Sequence, residues 1–125
     1  MVDILLQINQ IYTTNEDYIN ALKYLNEAYK VSLKIKNFKF LSIDARYSDT
    51  YKNMNDLKKA YEYYQKAFNS KELSDAQKAY LYELYGEILD KDNKYQEALT
   101  FFQDSLKNAK KMNDLHRILS VEENL

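Results

Sequence analysis

Asp17-Tyr18-Ile19-Asn20-Ala21-Leu22-Lys23-Tyr24-Leu25-Asn26-Glu27-Ala28 is echoed twice further along the chain. The second copy is Asp56-Leu57-Lys58-Lys59-Ala60-Tyr61-Glu62-Tyr63-Tyr64-Gln65-Lys66-Ala67, and the third is Lys94-Tyr95-Gln96-Glu97-Ala98-Leu99-Thr100-Phe101-Phe102-Gln103-Asp104-Ser105. Ala21, Ala60 and Ala98 hold the same place in each, 39 and then 38 residues apart. Apolar and small residues fall at helical spacing throughout: Tyr18, Ala21, Leu22, Leu25, Ala28; then Leu57, Ala60, Tyr61, Tyr64, Ala67; then Tyr95, Ala98, Leu99, Phe102, Leu106. Each copy reads as one amphipathic helix, and a period of this length marks units that stack along the chain.

A second helical segment precedes each copy, over Val2 to Thr14, roughly Phe38 to Lys52, and roughly Ser74 to Asp90. The joints Asn15-Glu16, Asn53-Met54-Asn55 and Lys91-Asp92-Asn93 are short and rich in Asn and Asp, which favour turns and helix starts. Helix–turn–helix pairs result. Ala21, Ala60 and Ala98 belong where the two helices of a pair approach too closely for a larger side chain. One pair alone leaves an apolar face wet, so neighbouring pairs must stack to cover it.

Composition points the same way. With one Gly and no Pro in 125 residues, little interrupts a helix or supplies the tight turns of hairpins. The charged residues, 30% of the chain, nearly cancel to a net −1, which argues against the basic footprint of a nucleic-acid binder. The absence of cysteine removes disulfides, thiol catalysis and cysteine-bound metal centres. Met1-Val2-Asp3-Ile4 lacks the charged start of a secretory signal, and no apolar run approaches the roughly 20 residues of a membrane span, so a cytoplasmic location is expected.

These residues resemble the tetratricopeptide repeat family over nearly the whole chain. That family places large apolar residues at repeat positions 4, 7, 11 and 24 and small ones at 8, 20 and 27. The first repeat matches with Leu5, Ile8, Asn9, Tyr12, Ala21, Leu25 and Ala28; the second with Asp44, Tyr47, Ser48, Tyr51, Ala60, Tyr64 and Ala67. The third matches with Tyr82, Tyr85, Gly86, Leu89, Ala98, Phe102 and Ser105, so the lone glycine falls on a small-residue position. Two departures stand out: Asn9 at a small position and Asp44 at a large one. The family's unit is about 34 residues, so the longer spacing here implies about one extra helical turn at the end of each second helix. Longer units of this kind occur in peptide-sensing bacterial regulators, kinase sensor regions and kinesin light chains.

The resemblance implies an all-α, right-handed superhelical solenoid of stacked antiparallel helix pairs, about seven helices in one domain spanning 1–125. Its repeats are expected at about 2–37, 38–73 and 74–112, with a terminal or truncated helix over 113–125. The first helix is apolar on more than one face through Ile4, Leu5, Leu6, Ile8 and Ile11, which suggests a missing upstream repeat or a contact surface.

Little in the chain could carry chemistry, and neither catalysis nor a cofactor or metal is expected. His116, the single histidine, lies on the polar side of the last expected helix. Asp90 to Glu97 superficially resembles a calcium loop but lacks the turn glycine and puts Lys94 at a ligand position. One glycine cannot build a phosphate loop. Of the 13 tyrosines, Tyr12, Tyr18, Tyr47, Tyr51, Tyr64, Tyr85 and Tyr95 fall on core repeat positions, where rings pack and hydroxyls reach an edge.

The resemblance assigns a concave wall to first-helix positions 2, 5, 9, 12 and 13. Carried over, that wall presents Asp3, Leu6, Gln10, Thr13 and Thr14, then Ser42, Ala45, Asp49, Lys52 and Asn53, then Tyr80, Glu83, Glu87, Asp90 and Lys91. The lysine and asparagine with which some family members clamp chaperone C-termini are absent, since those positions read Leu6 and Gln10, Ala45 and Asp49, Glu83 and Glu87. The expected peptide-binding residues are Gln10, Thr13, Asp49, Lys52, Tyr80, Glu83, Glu87 and Asp90. The function implied is a protein- or peptide-binding scaffold, with neither nucleic acid nor membrane; the carboxylates of Glu83, Glu87, Asp90 and Asp49, with Tyr80 to stack, suit a partner segment carrying Lys or Arg. The alternatives are a ligand-sensing segment of a larger transcription regulator or kinase, and self-assembly through the apolar first helix.

Overall fold

The computed structural model describes residues 1–112. Six helices run through them in the order α1 Val2–Thr14, α2 Tyr18–Ser32, α3 Leu41–Asn53, α4 Leu57–Phe68, α5 Asp75–Lys91 and α6 Tyr95–Met112. No strand occurs among the described residues. The expected all-helical fold of packed neighbouring pairs is what the described residues adopt. The last helix expected over 113–125, with His116, lies outside the described residues.

The chain divides into two compact units, Met1–Ala67 and a second that begins at Phe68. The first holds α1, α2, α3 and nearly all of α4. Its core is built from Val2, Leu5, Leu6, Leu25, Ala28, Ile43 and Tyr47. In the second, α5 packs on α6, and Leu81, Leu84, Ile88, Leu89, Phe102 and Ala109 are buried.

The three joints share one turn. After α1, α3 and α5 the chain passes through a left-handed residue, Glu16 (φ 62°), Asn55 (φ 63°) or Asn93 (φ 62°). The next residue's N–H then reaches back five positions: Asp17 to the Tyr12 carbonyl, Asp56 to Tyr51 and Lys94 to Leu89, each at 2.9 Å. This Schellman closure satisfies carbonyls that a helix end leaves open. Asp17 then caps α2 by accepting from the Asn20 N–H at 3.3 Å, and Asp56 accepts from the Lys59 N–H at 3.3 Å. Ser74 and Gln77 form a reciprocal capping box at the start of α5.

Asn tolerates the left-handed region, whereas Glu with its longer side chain gains nothing there, and the conformation costs L-residues about 1–2 kcal/mol. Glu16→Gly is therefore expected to raise stability by about 0.5–1 kcal/mol after allowance for glycine's larger unfolded-state entropy. Urea denaturation would show this as a higher midpoint at unchanged slope; a lower midpoint would contradict the turn geometry.

Each pair is locked by a polar or minimal residue facing its partner helix. Asn9 donates through Nδ2 to the Ala21 carbonyl at 2.9 Å, and Ser48 donates through Oγ to the Ala60 carbonyl at 2.8 Å. The equivalent place before Ala98 holds Gly86, which has no donor; the Phe102 ring lies against it instead. In that second unit the bond runs the other way, from Ser105 Oγ to the Ala79 carbonyl at 2.6 Å. Asn9, a departure from the repeat pattern, also donates to Thr50 Oγ1 at 3.3 Å and so ties α1 to α3 as well as α2.

Three expectations are corrected. The extra residues of the long repeat do not simply lengthen each second helix: α2 ends at Ser32 and α4 at Phe68, and the connections 33–40 and 69–74 take up the surplus. Left-handed Asn37 (φ 60°) and Glu72 (φ 60°) keep these connections from continuing as helix. For the same reason α3 starts at Leu41 rather than Phe38, which instead packs edge-on to Phe40 at 5.1 Å. Tyr95 is not a core residue: it is 59% exposed, and its hydroxyl donates to Asn93 Oδ1 at 2.7 Å. It sits at the first position of α6, beside the turn that closes α5.

Candidate functional site

Within the first unit, α1 and α3 lie side by side and leave a cavity of about 370 Å³ at their C-terminal ends. Two amphipathic helices dispose their inner faces towards α2 and α4, so the residues left over at i, i+3 spacing on α1 and α3 line this cavity. Gln10, Thr13, Asp49 and Lys52, all expected as binding residues, meet here, together with Glu16, Tyr18 and Asn53.

The cavity's polar groups are held by one another. Gln10 accepts a hydrogen bond from Arg46 and donates to Thr14 Oγ1 at 3.4 Å. Thr13 and Thr50 hydroxyls pair across α1 and α3 at 3.3 Å. Lys52 Nζ lies 2.9 Å from Asp49 Oδ1, an i, i+3 ion pair drawn largely out of water. Tyr18 donates to the Asn53 carbonyl at 2.9 Å, the edge-seeking hydroxyl expected of it. With Glu16 at the rim, the ionisable side chains around this cavity sum to one excess negative charge.

The remaining expected residues lie on α5 in the second unit. Glu83 is buried, Tyr80 and Glu87 are half-buried, and Asp90 is exposed. Leu6 and Ala45, read from sequence as part of the wall, are buried, so the open surface of the first unit is narrower than the repeat positions imply.

A second cavity in the first unit, of about 390 Å³, escaped the reading of the sequence. It is lined by Tyr29 and Leu33 at the end of α2, Phe40, Asp44 and Tyr47 at the start of α3, and Tyr63 and Lys66 on α4. Tyr47 and Tyr63 stack at 4.6 Å, and Tyr29 tilts against Phe40 at 5.7 Å. Burial and neighbouring rings push the Tyr47 hydroxyl well above the usual phenol range, and it donates to Asn26 Oδ1. Burial also raises the Asp44 carboxyl, against a downward pull from the Lys66 charge. The signal that could have located this site was Asp44 itself, a carboxylate at a repeat position reserved for large apolar residues.

Among the described residues, no three His, Cys, Asp or Glu side chains gather as a metal would require, and no helix is long and apolar enough to cross a membrane. Ile4 and Ile11 of α1 are 61% and 60% exposed.

Residues 45–72 match the family model of the tetratricopeptide repeat. The match takes in most of α3, all of α4 and the start of the following connection. Comparison with curated proteins and with solved structures finds no match.

Proposed function

From a chain that carries a tetratricopeptide repeat, a protein-interaction module, we propose a binding scaffold whose α1/α3 face in the first unit takes an extended peptide segment bearing Lys or Arg. The observation that carries this reading is the convergence of Gln10, Thr13, Asp49 and Lys52 on one open cavity with an excess of negative charge. The cavity is preformed: Gln10 and Thr13 are oriented by bonds within and between the two helices, so little ordering cost falls on binding. Gln10 and Asn53 amides offer donors and acceptors to a peptide backbone, and Asp49 and Glu16 offer carboxylates to a cationic side chain. Within the second unit, Glu87 and Asp90 on α5, beside Tyr80, would by themselves favour cations. Binding without chemistry is the activity proposed.

Selection from a random peptide display library against the domain tests this, with Asp49→Lys as the counter-screen. That substitution turns the local excess of one negative charge into an excess of one positive charge. Basic peptides should emerge, and the variant should bind them at least about tenfold more weakly, about 1.4 kcal/mol. Peptides without basic residues, or peptides that bind the variant equally well, would refute the proposed recognition.

A second reading rests on Ile4 and Ile11, two exposed β-branched residues seven apart on one face of α1. Self-association through this face would make the mass seen by light scattering rise with concentration. A constant monomer mass would remove it.

A further inference from the structure

The cavity between α2, α3 and α4 holds one anion and one cation that do not form an ion pair. Asp44 is half-buried, yet among the described residues no donor or ammonium is placed against its carboxylate. Lys66 directs its Nζ over the Tyr63 ring, 4.7 Å from the centroid. A half-buried carboxylate with no protein donor depends on the water that still reaches it, and a ligand that covers it must supply a donor in that water's place. The lining around the two charges is aromatic and half open: Tyr29 and Leu33 are exposed, and Phe40 and Tyr63 are half-buried.

The pair of charges restricts what can enter. A simple cation would satisfy Asp44 but meet the Lys66 charge, and a simple anion would meet the reverse. A neutral apolar molecule would cover the rings and leave Asp44 dry and undonated. A molecule that carries both charges close together beside an apolar body satisfies all three parts, and the volume lies in the range of small-ligand sites.

We propose that this cavity binds a free α-amino acid with an apolar or aromatic side chain, its ammonium on Asp44, its carboxylate on Lys66 and its side chain against the rings of Tyr29, Phe40 and Tyr63. The site is separate from the α1/α3 face and does not depend on peptide binding there.

Titration of ¹⁵N-labelled protein with L-phenylalanine, followed through the amide signals of Asp44, Tyr47 and Tyr63, provides the test. Saturable shifts are expected at these residues. Phenethylamine, which lacks the carboxylate, and 3-phenylpropionate, which lacks the ammonium, should each bind at least about tenfold more weakly. Asp44→Asn keeps the shape and should weaken phenylalanine at least about tenfold, whereas Asp49→Lys at the other cavity should leave it unchanged. Lys66→Met, a solvent-side change, should erase the advantage of phenylalanine over phenethylamine, and this holds even if Asp44→Asn perturbs the fold. No saturable shift with phenylalanine or leucine, equal binding of phenethylamine, or indifference to both substitutions would overturn the proposal.

Discussion

Enlarging Ala60 to leucine is expected to destabilise the first unit by about 3 kcal/mol, the upper end of what overpacking costs. Ala60 is fully buried, and its carbonyl takes the Ser48 hydroxyl at 2.8 Å, so the backbones of α3 and α4 are separated there by little more than one small side chain. A leucine at this point must push α4 away from α3. It would break that hydrogen bond and part the Tyr47–Tyr63 stack one turn further on. Against a total stability of about 5–15 kcal/mol for a domain, this is a large fraction. Urea unfolding monitored by circular dichroism measures it, with Lys58→Leu on the exposed side of α4 as the control, expected within about 0.5 kcal/mol of the parent. Equal effects at the two positions would show that α3 and α4 do not cross at Ala60.

Gly86→Ala carries the second large effect, and its sign decides between two physical terms. In a free helix the change gains about 1 kcal/mol of propensity. Here a Cβ would lie 2.8 Å from Phe102 Cε1 and 2.9 Å from its Cδ1, and the buried ring cannot withdraw. Overpacking of up to about 3 kcal/mol outweighs the propensity gain and leaves a net loss of about 2 kcal/mol. The double variant Gly86→Ala, Phe102→Leu removes the obstructing ring atoms, so its loss should be smaller than the sum of the single losses. A stabilising Gly86→Ala would mean that the ring does not occupy this place.

The parts of the fold that repeat were legible before any coordinates. Ala21, Ala60 and Ala98 fixed the period, and the Asn- and Asp-rich joints located the turns, because these signals are local and recur three times. Asn55 and Asn93 carry a preference for the left-handed region that can be read directly; Glu16 adopts the same conformation without any such preference, and only its place in the repeat reveals it. Tyr95 shows the limit of pattern matching, since a ring at the first residue of a helix can turn to the adjoining turn instead of the core, as its bond to Asn93 shows.

The sites divide in the same way. Gln10, Thr13, Asp49 and Lys52 meet because each follows the register of its own helix, and register is what repeat positions encode. Asn9 was visible as an anomaly, but its reason was not, because its second partner Thr50 is 41 residues away on another pair. The aromatic cavity draws on three helices and on Phe40 in a connection that the helical period says nothing about. Of its rings only Tyr47 read as a core tyrosine; packing alone brings Tyr29, Phe40 and Tyr63 around the same cavity as Asp44.

Mapping a display-selected basic peptide onto the ¹⁵N–¹H spectrum tests the binding reading most directly. Saturable shifts centred on Gln10, Thr13, Asp49 and Lys52, and lost in Asp49→Lys, are the expected result. Saturable shifts that leave these residues unmoved, or a peptide held only by the exposed isoleucines of α1, would contradict it.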